Sequence, residues 1–175
     1  GDILIEQLFC DDLDQVLHKL RRAGCQVEEG GTSLRVCRTG TLLAADMTTW
    51  PHPGFATDLQ AQYVALMTQA KGLSVVSEAL FENRFQHAEQ LRRLGADISL
   101  RGRSAMIQGG APLRGADLKI SDIRSGAALV IGALCAEGTS RLGNVHHLDR
   151  GYEDLVGKLN GLGANLRLHD AVQDG

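Results

Sequence analysis

Polar and apolar positions alternate along this chain in a pattern that repeats. Leu13, Val16, Leu17 and Leu20 fall at i, i+3, i+4 and i+7, the single stripe of an amphipathic helix. Asp11, Asp12 and Asp14 crowd the start of that helix and Lys19, Arg21 and Arg22 its end, both of which suit the helix dipole. Tyr152, Leu155, Val156 and Leu159 repeat the spacing, and Phe85, Ala88, Leu91 and Leu94 repeat it more loosely. Each stripe runs into a similar ending: Leu20–Val27 reads LRRAGCQV, Leu91–Ile98 reads LRRLGADI and Leu159–Leu166 reads LNGLGANL. The glycine in each (Gly24, Gly95, Gly163) is placed to close a helix in the left-handed conformation before a strand begins.

A second kind of helix precedes the last two stripes. Thr57–Gly72 and Asp122–Gly138 predict helices, and the run Gly126–Ala136 is apolar on nearly every side, so it belongs in a core. Short runs such as Leu73–Ser77 and Ser104–Gln108 read as strands. The repeating unit is therefore buried helix, strand, amphipathic helix, strand, strand, with two full copies and an incomplete first one. Units are expected at about 1–56 (incomplete), 57–121 and 122–175, forming one partial domain. In the second copy 23 residues separate Gly72 from Gly95, and the same interval counted back from Gly24 ends at Gly1. The pattern thus predicts that a core helix of the first copy lies before Gly1 and that the chain is cut from something longer.

Superposing the copies sharpens the search for chemistry. With Gly72 set on Gly138, Asp58 falls on Arg124 and Arg84 falls on Arg150. One carboxylate and three arginines thus share two stations, each at the start of a helix, where backbone N–H groups favour anions. Arginine opposes the helix dipole there, and a group of three would bind carboxylate or phosphate in bidentate fashion. Pairing of these arginines with Asp122, Asp149 or Glu82 at the surface explains them equally well, and spacing leaves both readings open.

Composition narrows the field. The 175 residues carry a net charge of −3, which gives no footprint for nucleic acid and no basic face for a membrane. The longest apolar run, Ala127–Ala136, is too short to span a bilayer. The four cysteines (10, 25, 37, 135) show no metal-ligand spacing and read as reduced thiols, Cys135 as core packing. His146 and His147, adjacent on a turn, are expected to point apart rather than to hold a metal. Trp50 reads as structural, His52 between Pro51 and Pro53 as a loop entering the buried helix, and Gly109-Gly110 as a turn.

Four segments then carry a resemblance. PHPGFATDLQAQ (51–62), FENRF (81–85), DIRSGAA (122–128) and HLDRGYE (147–153) stand in the order found in the enolpyruvyl transferases of the UDP-N-acetylglucosamine 1-carboxyvinyltransferase family, which the chain resembles from Gly1 to about Leu168. The resemblance implies an α/β (α+β) fold, an inside-out barrel of βαβαββ units with helices packed centrally. It implies transfer of the enolpyruvyl group of phosphoenolpyruvate to the 3-hydroxyl of UDP-N-acetylglucosamine, with release of phosphate, in peptidoglycan precursor synthesis in the cytoplasm. Neither cofactor nor metal is expected. The partners implied are the two substrates and a missing second domain.

Residue by residue, Asp58 matches the carboxylate that meets the sugar hydroxyl, a candidate general base. Thr57 stands beside it, and Leu80 takes the place of an aliphatic residue whose main chain binds the sugar nucleotide. Arg84, Arg124 and Arg150 match cleft-lining arginines, the last similar to one that clamps the phosphoenolpyruvate carboxylate. The family's lysine, further arginines and a Cys or Asp loop acid match nothing here and fall before Gly1, so this chain alone should not complete the reaction. The other readings weighed are the same fold with another acceptor, such as 3-phosphoshikimate, and a non-catalytic ligand-binding module.

Overall fold

The computed structural model describes residues 1–8 and 10–169. Its strands are β1 (Asp2–Glu6), β2 (Gln26–Gly30), β3 (Ser33–Cys37), β4 (Met47–Thr48), β5 (Gly72–Ser77), β6 (Asp97–Arg101), β7 (Ser104–Gly109), β8 (Asp117–Lys119) and β9 (Arg141–Gly143). Its α-helices are α1 (Asp14–Arg22), α2 (Gln60–Met67), α3 (Gln86–Arg93), α4 (Ile123–Cys135) and α5 (Leu155–Gly161).

The three helix endings are copies of one another at the level of individual hydrogen bonds. Gly24, Gly95 and Gly163 hold φ of 92°, 98° and 94°. The residue after each glycine donates its N–H five residues back (Cys25 to Leu20, Ala96 to Leu91, Ala164 to Leu159), and the glycine donates three residues back. That double closure satisfies the last helical carbonyls, and a Cβ at the glycine would oppose it.

The sheets repeat as well. Strands β4 and β5 pair in parallel around α2, as β8 and β9 do around α4. One strand order is β4-β5-β7-β6, another β1-β3-β2, with every pair except β4–β5 antiparallel. The stretch β4-α2-β5-α3-β6-β7 is one complete βαβαββ unit. The third copy departs from the sequence reading: α5 forms, but residues 164–169 make no strand. There the Asn160 carboxamide takes the place of a partner strand, accepting from Leu166 N–H at 2.8 Å and donating to its carbonyl at 2.9 Å. Among the described residues the three sheets close no barrel.

Helices α2 and α4 pack on each other in the centre, with α3 against α4. Ala61, Val64, Ala65 and Met67 of α2 and Ala128 and Leu129 of α4 are almost wholly buried. Close approach is why small residues dominate: a Cβ on Gly132 would lie 2.8 Å from Leu91 Cδ2 and 3.0 Å from Leu94 Cδ1. The expectation that α4 is buried all round fails in its last turn. Leu134 is 43% exposed and Cys135 is exposed, so Cys135 is not core packing. Gly132 is the last buried residue of α4.

Helix α1 covers a separate, smaller cluster of Cys10, Leu17 and Leu34 on the sheet β1-β3-β2. The opposite face of that sheet carries Arg35, which bonds Asp2 at 2.7 Å and Glu28 at 3.4 Å. Strand β1 is exposed throughout. Trp50 is 62% exposed and adds no side chain to the core.

Candidate functional site

The N-terminal ends of the two central helices lie side by side, as the superposed repeats require. Thr57 and Asp58 form a turn of 3-10 helix that leads into α2. Arg124 is the second residue of α4. Its guanidinium reaches Asp58 Oδ1 at 3.3 Å and Asp122 Oδ1 at 3.4 Å. The Asp58 side chain is 76% exposed and that of Arg124 31%, so the pair contributes little to stability but brings together residues 66 positions apart.

Asp122 fixes the start of α4. Its carboxylate accepts from the N–H groups of Arg124 and Ser125, and the Ser125 hydroxyl closes the capping box. Burial pushes the Asp122 carboxyl up, but the Ser125 and Arg124 N–H bonds and the Arg124 charge hold it below the usual carboxylate range. The anchored carboxylate in turn holds the Arg124 side chain over the helix end.

Arg84 precedes α3. Its guanidinium carbon lies 4.3 Å from the centre of the Phe81 ring, and its buried Nη1 has no partner among the described residues. Thr57, Gln60, Ala61, Arg84, Gln86, His87, Asp122, Arg124 and Ser125 line one niche of about 10 Å³, room for about one water. Gln60 Nε2 and His87 Nε2 also lack partners. Unpaired buried polar atoms are costly, and these belong to residues that line the niche together with Arg124, an arrangement suited to an anion or a water. Burial lowers the pKa of His87 to about 4, against the pull of Asp122, so its ring is neutral at pH 7.

Glu78 ties the surroundings together. It directly follows β5, is 2% exposed, and accepts from the Thr49 and Thr57 hydroxyls, each at 2.7 Å, and from the N–H groups of Leu80 and Phe81 at 2.9 and 3.1 Å. Burial pushes its carboxyl up, and those four bonds outweigh it and hold the group below its ordinary value. Beyond it a groove of about 700 Å³ runs past Phe81, Arg84, Arg92 and Arg103.

The model of the family described as EPSP synthase (3-phosphoshikimate 1-carboxyvinyltransferase) matches residues 1–159. The chain belongs to the EPSP synthase family. Within it, the chain is 46% identical over 168 residues to the UDP-N-acetylglucosamine 1-carboxyvinyltransferase of Magnetococcus marinus and 48% identical to that of Solibacter usitatus. Both alignments cover 95% of this chain and 40% of the relative, so the chain spans about 40% of the length of the curated relatives it matches. The crystal structure of the enolpyruvyl transferase NikO from Streptomyces tendae is similar with a TM-score of 0.87 at 31% identity, covering 95% of this chain and 40% of that one. An EPSP synthase from Acinetobacter baumannii shares the fold, with a TM-score of 0.64 at 18% identity over 81% of this chain and 34% of its own.

In this member of the EPSP synthase family, then, Thr57, Arg84 and Arg124 meet at one niche with Asp58 at its edge, and Leu80 joins them through Glu78. Arg150 stands apart: it is exposed in the turn before α5 and lines neither the niche nor the groove. A contact from Gln62 Nε2 to the Tyr152 hydroxyl, 3.5 Å long, ties that turn to α2. Sequence reading passed over Gln60, Glu78, His87 and Asp122 as site residues. Glu78 has one signal in sequence, an acidic residue directly ending the run LSVVS; His87 has none, because a lone histidine on an apolar helix face looks like any core residue. The His146 and His147 rings do not diverge as expected: their centres lie 4.3 Å apart in the short 3-10 turn 145–147. No group of three His, Cys, Asp or Glu among the described residues is placed to hold a metal, and no described helix is long and apolar enough to cross a membrane.

Proposed function

We propose that this chain is most of one domain of a UDP-N-acetylglucosamine 1-carboxyvinyltransferase. In that reading the enzyme moves the enolpyruvyl group of phosphoenolpyruvate to the sugar 3-hydroxyl and releases phosphate, in the cytoplasm and for peptidoglycan precursors. The observation that carries it is the meeting of Asp58 and Arg124 beside Arg84, whose buried Nη1 has no partner among the described residues, with Asp122 the other carboxylate paired to Arg124. Asp58 serves as general base, taking the proton of the sugar hydroxyl as its oxygen attacks, since a hydroxyl is a poor nucleophile until a base stands within hydrogen-bond reach. Arg124 and Arg84 hold the phosphate and carboxylate charges of phosphoenolpyruvate and stabilise the charge of the tetrahedral adduct. The Asp58–Arg124 pair is the resting arrangement, and an incoming anion draws Arg124 away and frees the carboxylate. Arg150 joins when its turn closes over the site. Thr57 and the main chain of Leu80 place the sugar nucleotide.

The rest of the enzyme supplies a second domain with the lysine and loop acid, and completes the inside-out barrel whose units here are 1–56, 57–121 and 122–175. The names and 46–48% identity of the relatives support the sugar nucleotide as acceptor, against 3-phosphoshikimate, whose solved synthase is 18% identical. In the full-length enzyme, Asp58→Ala should lower kcat by about a hundredfold or more while leaving sugar-nucleotide affinity within about threefold. Turnover equal to wild type removes Asp58 from the mechanism.

A further inference from the structure

Glu78 does more than fill space. Among the described residues its buried carboxylate bonds only neutral donors; Arg103 gives its Nε not to the carboxylate but to the Glu78 backbone carbonyl, at 2.9 Å. An ionised carboxylate accepts and never donates, so every group that touches it must spend a proton on it. The hydroxyl of Thr57 has one proton, and Glu78 takes it. Only the lone pairs of Thr57 Oγ1 remain for the niche that Thr57 lines. The N–H of Leu80 is spent in the same way, which leaves its carbonyl. Thr49 donates to Glu78, accepts from Ala79 N–H at 2.9 Å, and is wholly buried. Asp58 beside Thr57 is a further acceptor.

We infer that Glu78 is a positioning residue that sets the donor–acceptor sense of the sugar subsite, so that Thr57 offers a ligand acceptors only, beside Asp58, and the subsite takes an edge of hydroxyl and amide N–H donors. The sugar assignment rests on the enolpyruvyl-transfer reading; the tether itself does not. Ionisation of Glu78 is consistent with the donors around it, which lower its pKa despite burial.

The test uses the full-length enzyme with UDP-N-acetylglucosamine and phosphoenolpyruvate. E78Q keeps the shape and one acceptor oxygen for Thr49, Leu80 and Phe81, but sets an NH2 against Thr57, whose proton then turns to the ligand. E78Q should raise the KM for the sugar nucleotide by about tenfold and leave that for phosphoenolpyruvate within about twofold. T57A should do the same, and T57A added to E78Q should change the sugar KM by less than about twofold, because both act through one hydroxyl. Additive losses, or equal changes in both KM values, overturn the inference. Should E78Q fail to fold, T57A decides alone, and an unchanged sugar KM overturns it. Independently of substrate, hydrogen exchange of the peptide 79–84 should quicken by about tenfold in E78A but stay near wild type in T57A. Unchanged exchange in E78A refutes the tether. If that arm succeeds while wild-type enzyme turns over no UDP-N-acetylglucosamine, the functional reading fails and takes the sugar assignment with it.

Discussion

Stability should fall as the pH drops from 7 toward 4.5, and His87 should account for much of the loss. The ring is buried, lies tilted with its centre 5.9 Å from that of Phe85, and its Nε2 has no hydrogen-bond partner among the described residues. Its folded pKa is about 4 against the ordinary 6.5. Between those values the unfolded chain binds a proton that the folded chain refuses, so stability rises with pH through that window and is complete above it. Linkage puts the cost near zero at pH 7, about 1 kcal/mol at pH 5.5 and about 2–3 kcal/mol at pH 4.5. Glu78 and Asp122 act in the same direction lower down: their carboxyls are held below the ordinary values, so the stability they give is present above those values and is lost as pH falls through the folded pKa. The variant His87→Leu separates the two, since it removes the ring's titration and leaves both carboxylates. Relative to pH 7, urea midpoints at the three pH values should show wild type losing about 2–3 kcal/mol more than the variant by pH 4.5. Parallel curves for the two proteins would refute the reasoning and mean that the ring protonates within the fold.

Other expectations are simpler. Asp122→Ala removes the cap of α4 and an anchor of Arg124 together, and should cost about 1 kcal/mol by thermal or urea denaturation, with phosphoenolpyruvate binding weakened as well. Gly109→Ala should destabilise by about 3 kcal/mol or more, because the new Cβ would lie 2.1 Å from Ala70 O and 2.3 Å from Met67 O, and a backbone must move. Gly132→Ala should cost less, about 0–2 kcal/mol, since it meets only the ends of Leu91 and Leu94 and gains helix propensity.

Repetition is what made the fold legible. Three helix endings with the same glycine, and a central helix apolar on nearly every side, leave few ways to pack, and the strands 73–77 and 104–108 were found nearly to the residue. Superposing Gly72 on Gly138 also placed Asp58 on Arg124, and the two side chains touch. Periodicity was less able to locate ends. The last turn of α4 is as apolar as the rest, yet Leu134 and Cys135 are exposed, since the run of residue types says nothing of where a neighbouring helix stops. A strand after Gly163 was expected from its likeness to Gln26–Gly30 and Asp97–Arg101, but a strand is made by its partner, and residues 164–169 find only the Asn160 amide. Glu78 was overlooked for a related reason: its worth lies in four donors from Thr49, Thr57, Leu80 and Phe81, which sequence separates by as many as 29 positions.

The most direct test is phosphate release by the full-length enzyme from phosphoenolpyruvate, with UDP-N-acetylglucosamine or 3-phosphoshikimate as the acceptor, in wild type and Arg124→Ala. Release that depends on the sugar nucleotide, and that falls by about a hundredfold or more in the variant, is the result expected of two arginines and a carboxylate meeting at one niche. Release with 3-phosphoshikimate instead, or release indifferent to Arg124, would contradict it.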